Sequence, residues 1–161
     1  MVMSYANLAQ QRRRTVEQLD SFLEDDNALN ILLVEDDYGD MLMTLQAIND
    51  VHLPYELNRI THGDEVLPYL MNAMQERLPD LILLDMGLPG TNGFEILETL
   101  AGASALVRSV PIAIITMYSN FDYLNKTYDL PIYGYLTKPV KADKMKDIFA
   151  KVSEFAGNKD H

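Results

Sequence analysis

From Asn30 onward, short apolar runs alternate with amphipathic stretches, the pattern of successive βα units built around a mostly parallel sheet. Ile31-Leu32-Leu33-Val34 and Leu81-Ile82-Leu83-Leu84 are unbroken apolar runs, as strands buried on both faces require. The pattern predicts strands over Asn30–Val34, Tyr55–Thr61, Asp80–Leu84, Pro111–Thr116 and Ile132–Leu136. Tyr55-Glu56-Leu57-Asn58-Arg59-Ile60 alternates and reads as a half-exposed edge strand, whereas the other four read as more buried. Helices are predicted over Gly39–Asn49, Asp64–Glu76, Gly93–Leu106, Asn120–Tyr128 and Lys141–Phe155. Leu42, Leu45 and Ile48 recur at helical spacing in the first, as do Phe94, Leu97 and Leu100 in the third, which Asn92 is placed to cap.

The first 28 residues differ in character. Leu8, Val16, Leu19, Phe22 and Leu23 lie at approximately helical spacing, around Arg12-Arg13-Arg14 and ahead of Glu24-Asp25-Asp26, which predicts an amphipathic helical extension. Its basic run suits an acidic partner surface or a second copy of the chain, giving a homodimer; a solvated helix packed on its own domain fits equally. The predicted organisation is an extension over 1–28, one α/β domain over 29–157 and a short tail over 158–161.

At 161 residues the chain is long enough for one sizeable core. A formal net charge of −11 and a sequence pI near 4.5 argue against nucleic-acid binding and against an anionic membrane surface. The absence of cysteine excludes disulfides, thiolate chemistry and Cys-based zinc sites, and His52, His62 and His161 form no ligand spacing. No apolar stretch approaches the roughly 20 residues of a membrane span. The start Met1-Val2-Met3-Ser4-Tyr5 lacks a signal-peptide core, so a soluble cytoplasmic protein is expected.

Chemistry is concentrated where the apolar runs end. Asp85 closes one run and is followed by Met86-Gly87-Leu88-Pro89-Gly90, and Glu35-Asp36-Asp37 follows another. Open α/β sheets place ligands at the carboxyl ends of their strands, so two strands deliver acids to one crevice. Carboxylates brought that close repel unless a cation joins them, and hard oxygen donors suit Mg²⁺. Ala113-Ile114-Ile115-Thr116 adds a hydroxyl to the same edge and Thr137-Lys138-Pro139 adds an ammonium. Asp37 and Asp40 read as residues that cap or open the first helix, where negative charge complements the dipole.

With these residues in order, the chain from Asn30 to Phe155 resembles the receiver domain of bacterial two-component response regulators. The resemblance rests on the Glu35-Asp36 pair, Asp85 with Pro89 and Gly93, Thr116, and Lys138-Pro139. It implies a doubly wound, flavodoxin-like (βα)5 fold with a five-stranded parallel sheet in the order 2-1-3-4-5. It implies further that Asp85 accepts a phosphoryl group from a histidine kinase or phosphotransfer protein, with Mg²⁺ held by Glu35, Asp36, Asp85 and the Gly87 carbonyl. Thr116 and Lys138 would each bond a phosphoryl oxygen. Thr116 and Tyr135 would form the switch, and a cis peptide would precede Pro139. The implied role is a stand-alone signalling protein that modifies itself rather than an enzyme turning over a metabolite, acting on an unknown downstream protein target. Met117, Gly87 and Tyr118 occupy positions that influence phosphoryl access and hydrolysis in the family. A binding-only module is the first alternative. A haloacid-dehalogenase-type phosphatase is the second, although it expects an Asp where Gly87 stands.

Overall fold

The computed structural model describes residues 28–117 and 128–157. The expected amino-terminal helix, the tail over 158–161, Tyr118 and all but the last residue of the helix expected over Asn120–Tyr128 lie outside the described residues. In chain order come β1 (Leu29–Val34), α1 (Tyr38–Asn49), β2 (Tyr55–Ile60), a 3-10 turn (Gly63–Glu65), α2 (Val66–Ala73), β3 (Leu81–Asp85) and α3 (Gly93–Ala101). They are followed by α4 (Ala105–Arg108), β4 (Ile112–Thr116), β5 (Ile132–Thr137) and α5 (Ala142–Gly157). Among the described residues no helix is long and apolar enough to cross a membrane.

The sheet has the order β2-β1-β3-β4-β5 and every pair is parallel, as the βα alternation requires. Alternate side chains divide the core between its faces. Leu32, Val34, Ile82, Leu84 and Ile114 pack with α2, α3 and α4, whereas Ile31, Leu33, Leu83 and Ile115 pack with Ile48 of α1 and Met145 and Phe149 of α5. Each such side chain, taken fully out of water, contributes roughly 1.5–3 kcal/mol before its ordering entropy is counted.

β3 and β4 are buried at every position and β2 alternates in exposure, matching the sequence pattern. β5 departs from it: Tyr133, Gly134 and Tyr135 are only partly buried, because the strand order makes β5 the second edge. In α1 the helical spacing is real but Leu42 is exposed, and the helix buries Thr44, Ala47 and Ile48 instead. The third predicted helix is two. Gly102 closes α3, its N–H donating to the Glu98 carbonyl at 3.2 Å, and the Ser104 hydroxyl accepts from the Val107 N–H to start α4. Asn92 caps α3 through a reciprocal box, each of Asn92 and Glu95 accepting the other's backbone N–H at 3.1 Å. Gly93 sits so close to the preceding loop that a Cβ there would lie 2.7 Å from Met86 Cα.

Candidate functional site

The carboxyl ends of β1, β3 and β4 and the loop after β5 surround a cleft of about 440 Å³. Glu35, Asp36, Asp40, Asp85, Thr116 and Lys138 line it, with the partly exposed Phe94 and the exposed Met117 among its walls. The sequence-predicted residues Glu35, Asp36, Asp85, Gly87, Thr116 and Lys138 are therefore together. Tyr135 is not among the lining residues; it is half-buried against the core on the α2–α3 face of the sheet.

β1 and β3 carry the acids. Glu35 follows the last residue of β1, its N–H donating to the Ile60 carbonyl at 3.0 Å, and its side chain is fully buried. Its Oε1 accepts from the Asp37 N–H at 3.1 Å, whereas Oε2 is buried without an aligned hydrogen bond. Asp85 is the last residue of β3 and 4% exposed, and its Oδ1 accepts from the Gly87 N–H at 3.0 Å. Carboxylate oxygens of Glu35, Asp36 and Asp85 lie within 4.8 Å of one another.

Lys138 answers this charge. The Lys138-Pro139 peptide is cis, and the Lys138 N–H donates to the Thr116 carbonyl at 2.9 Å, extending the β4–β5 pairing. Its ammonium donates to Asp40 Oδ2 at 2.6 Å and to Asp85 Oδ2 at 3.1 Å, and stands 3.1 Å from Glu35 Oε2. Burial opposes the charge on Lys138, but the bonds to Asp40 and Asp85 and the surrounding negative charge outweigh it, so its pKa is raised. Burial first, and the Asp85 carboxylate second, push the Glu35 carboxyl up from 4.5 to about 7 against the pull of the Asp37 N–H and the Lys138 ammonium. Three carboxylates gathered within 4.8 Å of one another, with one ammonium reaching two of them and the Glu35 carboxyl pushed upward, carry an excess of negative charge that a further cation would relieve. The all-oxygen set fits a hard divalent ion such as Mg²⁺.

Two residues outside the sequence-based assignment belong to the site. Asp40 opens α1 as expected, its N–H donating to the Asp37 cap at 2.7 Å, but its side chain crosses to Lys138. Arg59 on β2 donates from Nε to the Glu35 carbonyl and from Nη2 to the Asp36 carbonyl, both at 3.0 Å, so an edge strand clamps the acidic loop. The signal for Arg59 was available: it occupies the inward-facing register of an alternating strand, beside Tyr55 and Leu57.

Known proteins resemble this chain in sequence and in fold. Residues 31–150 match the family description "Response regulator receiver domain". Sporulation initiation phosphotransferase F of Bacillus subtilis is 27% identical over 128 residues, covering 80% of this chain and 96% of that protein. Response regulator Rcp1 of Synechocystis sp. is 30% identical over 125 residues, covering 76% and 82% respectively. A crystal structure of the Mn(2+)-bound form of Rcp1 matches with a TM-score of 0.55 over 77% of this chain and 88% of that one. The bacteriophytochrome response regulator RtBRR matches with a TM-score of 0.67 and 33% identity over 78% of each chain. The sheet order, the acidic cleft and these likenesses agree, and the chain belongs to the response regulator receiver family of phosphorylation-based two-component signalling.

Proposed function

We propose that Asp85 accepts a phosphoryl group from a phosphohistidine on a histidine kinase or phosphotransfer protein. The observation that carries this reading is the placement of the Asp85 carboxylate at the end of β3, 3.1 Å from the Lys138 ammonium and grouped with Glu35 and Asp36. A carboxylate oxygen attacks phosphorus, a P–O bond forms, and the donor's P–N bond breaks with its electron pair staying on the imidazole nitrogen, which takes up a proton from solvent. Lys138 and the Thr116 hydroxyl receive the phosphoryl oxygens, and Lys138 neutralises charge developing on them. Glu35, Asp36, Asp85 and the Gly87 carbonyl hold Mg²⁺, which when bound supplies further neutralisation of that charge. The Mn²⁺ in Rcp1 supports a divalent ion here, since the two chains share the family.

The same chemistry supplies a switch. A phosphoryl group brings about −1.5 to −2 charges and new acceptor oxygens when carried on a hydroxyl side chain, and an acyl phosphate acts alike. Thr116 and Lys138 are drawn toward those oxygens, and Tyr135 on the exposed edge strand repacks and changes what a downstream protein meets. Incubation with Mg²⁺ and acetyl phosphate, followed by intact-mass measurement, tests the chemistry. A single phosphoryl adduct that needs Mg²⁺ and is absent from Asp85→Asn is expected. An adduct that survives in Asp85→Asn removes Asp85 as the acceptor. No adduct from either a small donor or a kinase favours the binding-only module.

A further inference from the structure

Three carboxylates surround the Lys138 ammonium, and the proposed reaction engages two of them: Glu35 belongs to the cation set and Asp85 is the acceptor. Asp40 is neither, yet at 2.6 Å it makes the shortest contact of the three. That bond joins side chains 98 residues apart, from the first turn of α1 to the loop after β5. The Asp40 side chain is 39% exposed and the Lys138 side chain 11%, so a solvated anion holds a nearly buried cation.

We propose that Asp40 is a positioning residue that holds the Lys138 ammonium on the α1 side of the cleft and competes for it with an incoming phosphoryl group. The inference rests on the phosphoacceptor reading above. A lysine ammonium has three donors, and here they face three carboxylates: Asp40 and Asp85 accept hydrogen bonds, and Glu35 Oε2 lies 3.1 Å away. When Asp85 becomes an acyl phosphate its carboxylate charge moves outward onto phosphoryl oxygens, and Lys138 has to follow it. The Asp40 carboxylate, bonded to the same ammonium from the α1 side, pulls in the other direction. It also presents an anion to any anionic donor entering the cleft. Removing its charge therefore favours phosphoryl groups and disfavours cations, and this opposition of sign separates positioning from a general loosening of the site.

The test compares the full chain with Asp40→Asn and Asp40→Glu, using beryllofluoride and phosphoramidate as phosphoryl probes and Mg²⁺ as the cation. Asp40→Asn is expected to bind beryllofluoride about tenfold more tightly, with Mg²⁺ binding weakened about twofold to threefold, as loss of one charge a few ångströms away dictates. Phosphoramidate should saturate it at lower concentration with little change in maximal rate. Asp40→Glu retains the charge and should behave as the parent. Beryllofluoride affinity that is unchanged or weaker in Asp40→Asn, or affinities for both probes that fall together, overturns the inference and leaves Asp40 as a helix-opening acid. A parent chain that takes neither phosphoryl probe overturns the phosphoacceptor reading, and the inference with it.

Discussion

Replacing Glu35 with Gln measures what it costs to hold a carboxylate where no water reaches it. Burial and the Asp85 charge raise its folded pKa to about 7, against 4.5 for the group in water. The folded state therefore keeps this proton longer than the unfolded chain, so stability is highest below about 4.5, falls as pH rises toward about 7, and levels off beyond. At about 1.4 kcal/mol for each tenfold change, the whole window amounts to roughly 3 kcal/mol, most of which falls between pH 5 and pH 8. Glutamine matches the side chain in size, and its amide oxygen can still accept from the Asp37 N–H. The assay is urea unfolding of both proteins in a chelator at the two pH values; titrating groups away from the cleft are common to both and cancel in the difference. Glu35→Gln should gain about 2–3 kcal/mol on the parent between pH 5 and pH 8. Saturating Mg²⁺ at pH 8 should narrow the gap by stabilising the parent, because a ligand that binds only the folded state adds to its stability. A difference that does not change with pH, or a parent that gains on the variant across this window, refutes the reasoning.

Lys138→Met leaves the buried Glu35 and Asp85 without their cation and should cost roughly 3 kcal/mol at pH 8 in chelator, read from urea midpoints. Gly93→Ala forces a Cβ to within 2.7 Å of the Met86 backbone and should lower stability by about 1–3 kcal/mol, visible as a lower thermal midpoint. Met117 is 67% exposed and lines the cleft, so Met117→Ala should speed phosphorylation by acetyl phosphate while changing stability by less than about 0.5 kcal/mol. An unchanged rate removes Met117 as an obstacle to small donors.

The strands were legible because burial on both faces writes itself as unbroken apolar runs, and their observed ends lie within one residue of those predicted. Helix faces were harder. Leu42, Leu45 and Ile48 satisfy a helical period, but packing of α1 against the sheet and α5 turns a stripe through Met41, Thr44 and Ile48 inward. Glu35, Asp36, Asp85, Thr116 and Lys138 could be read because each ends a strand or follows one, where topology alone brings residues together. Asp40 was read only for its local role, since its partner lies 98 residues away and no local pattern encodes that meeting. Arg59 gave a fainter sign, a charge in the inward register of an edge strand, whose meaning depends on carbonyls that only the fold brings alongside.

The unequal burial of the strands gives the sheet a mechanical character. β3 and β4 are enclosed at every position and have neighbours on both sides. β5 has a partner on one side only, its central residues are half open to solvent, and its register with β4 shifts between Ile112 and Ala113. The slab is enclosed through its middle and open along its margins, of which β5 is the one beside the cleft's lysine. Asp85 and Thr116 are mounted on the enclosed part, and Lys138 hangs from the open β5 margin. Under the proposed function, a charge that appears in the cleft would meet unequal resistance, and its displacement would be delivered sideways into the β5 margin rather than down the strands.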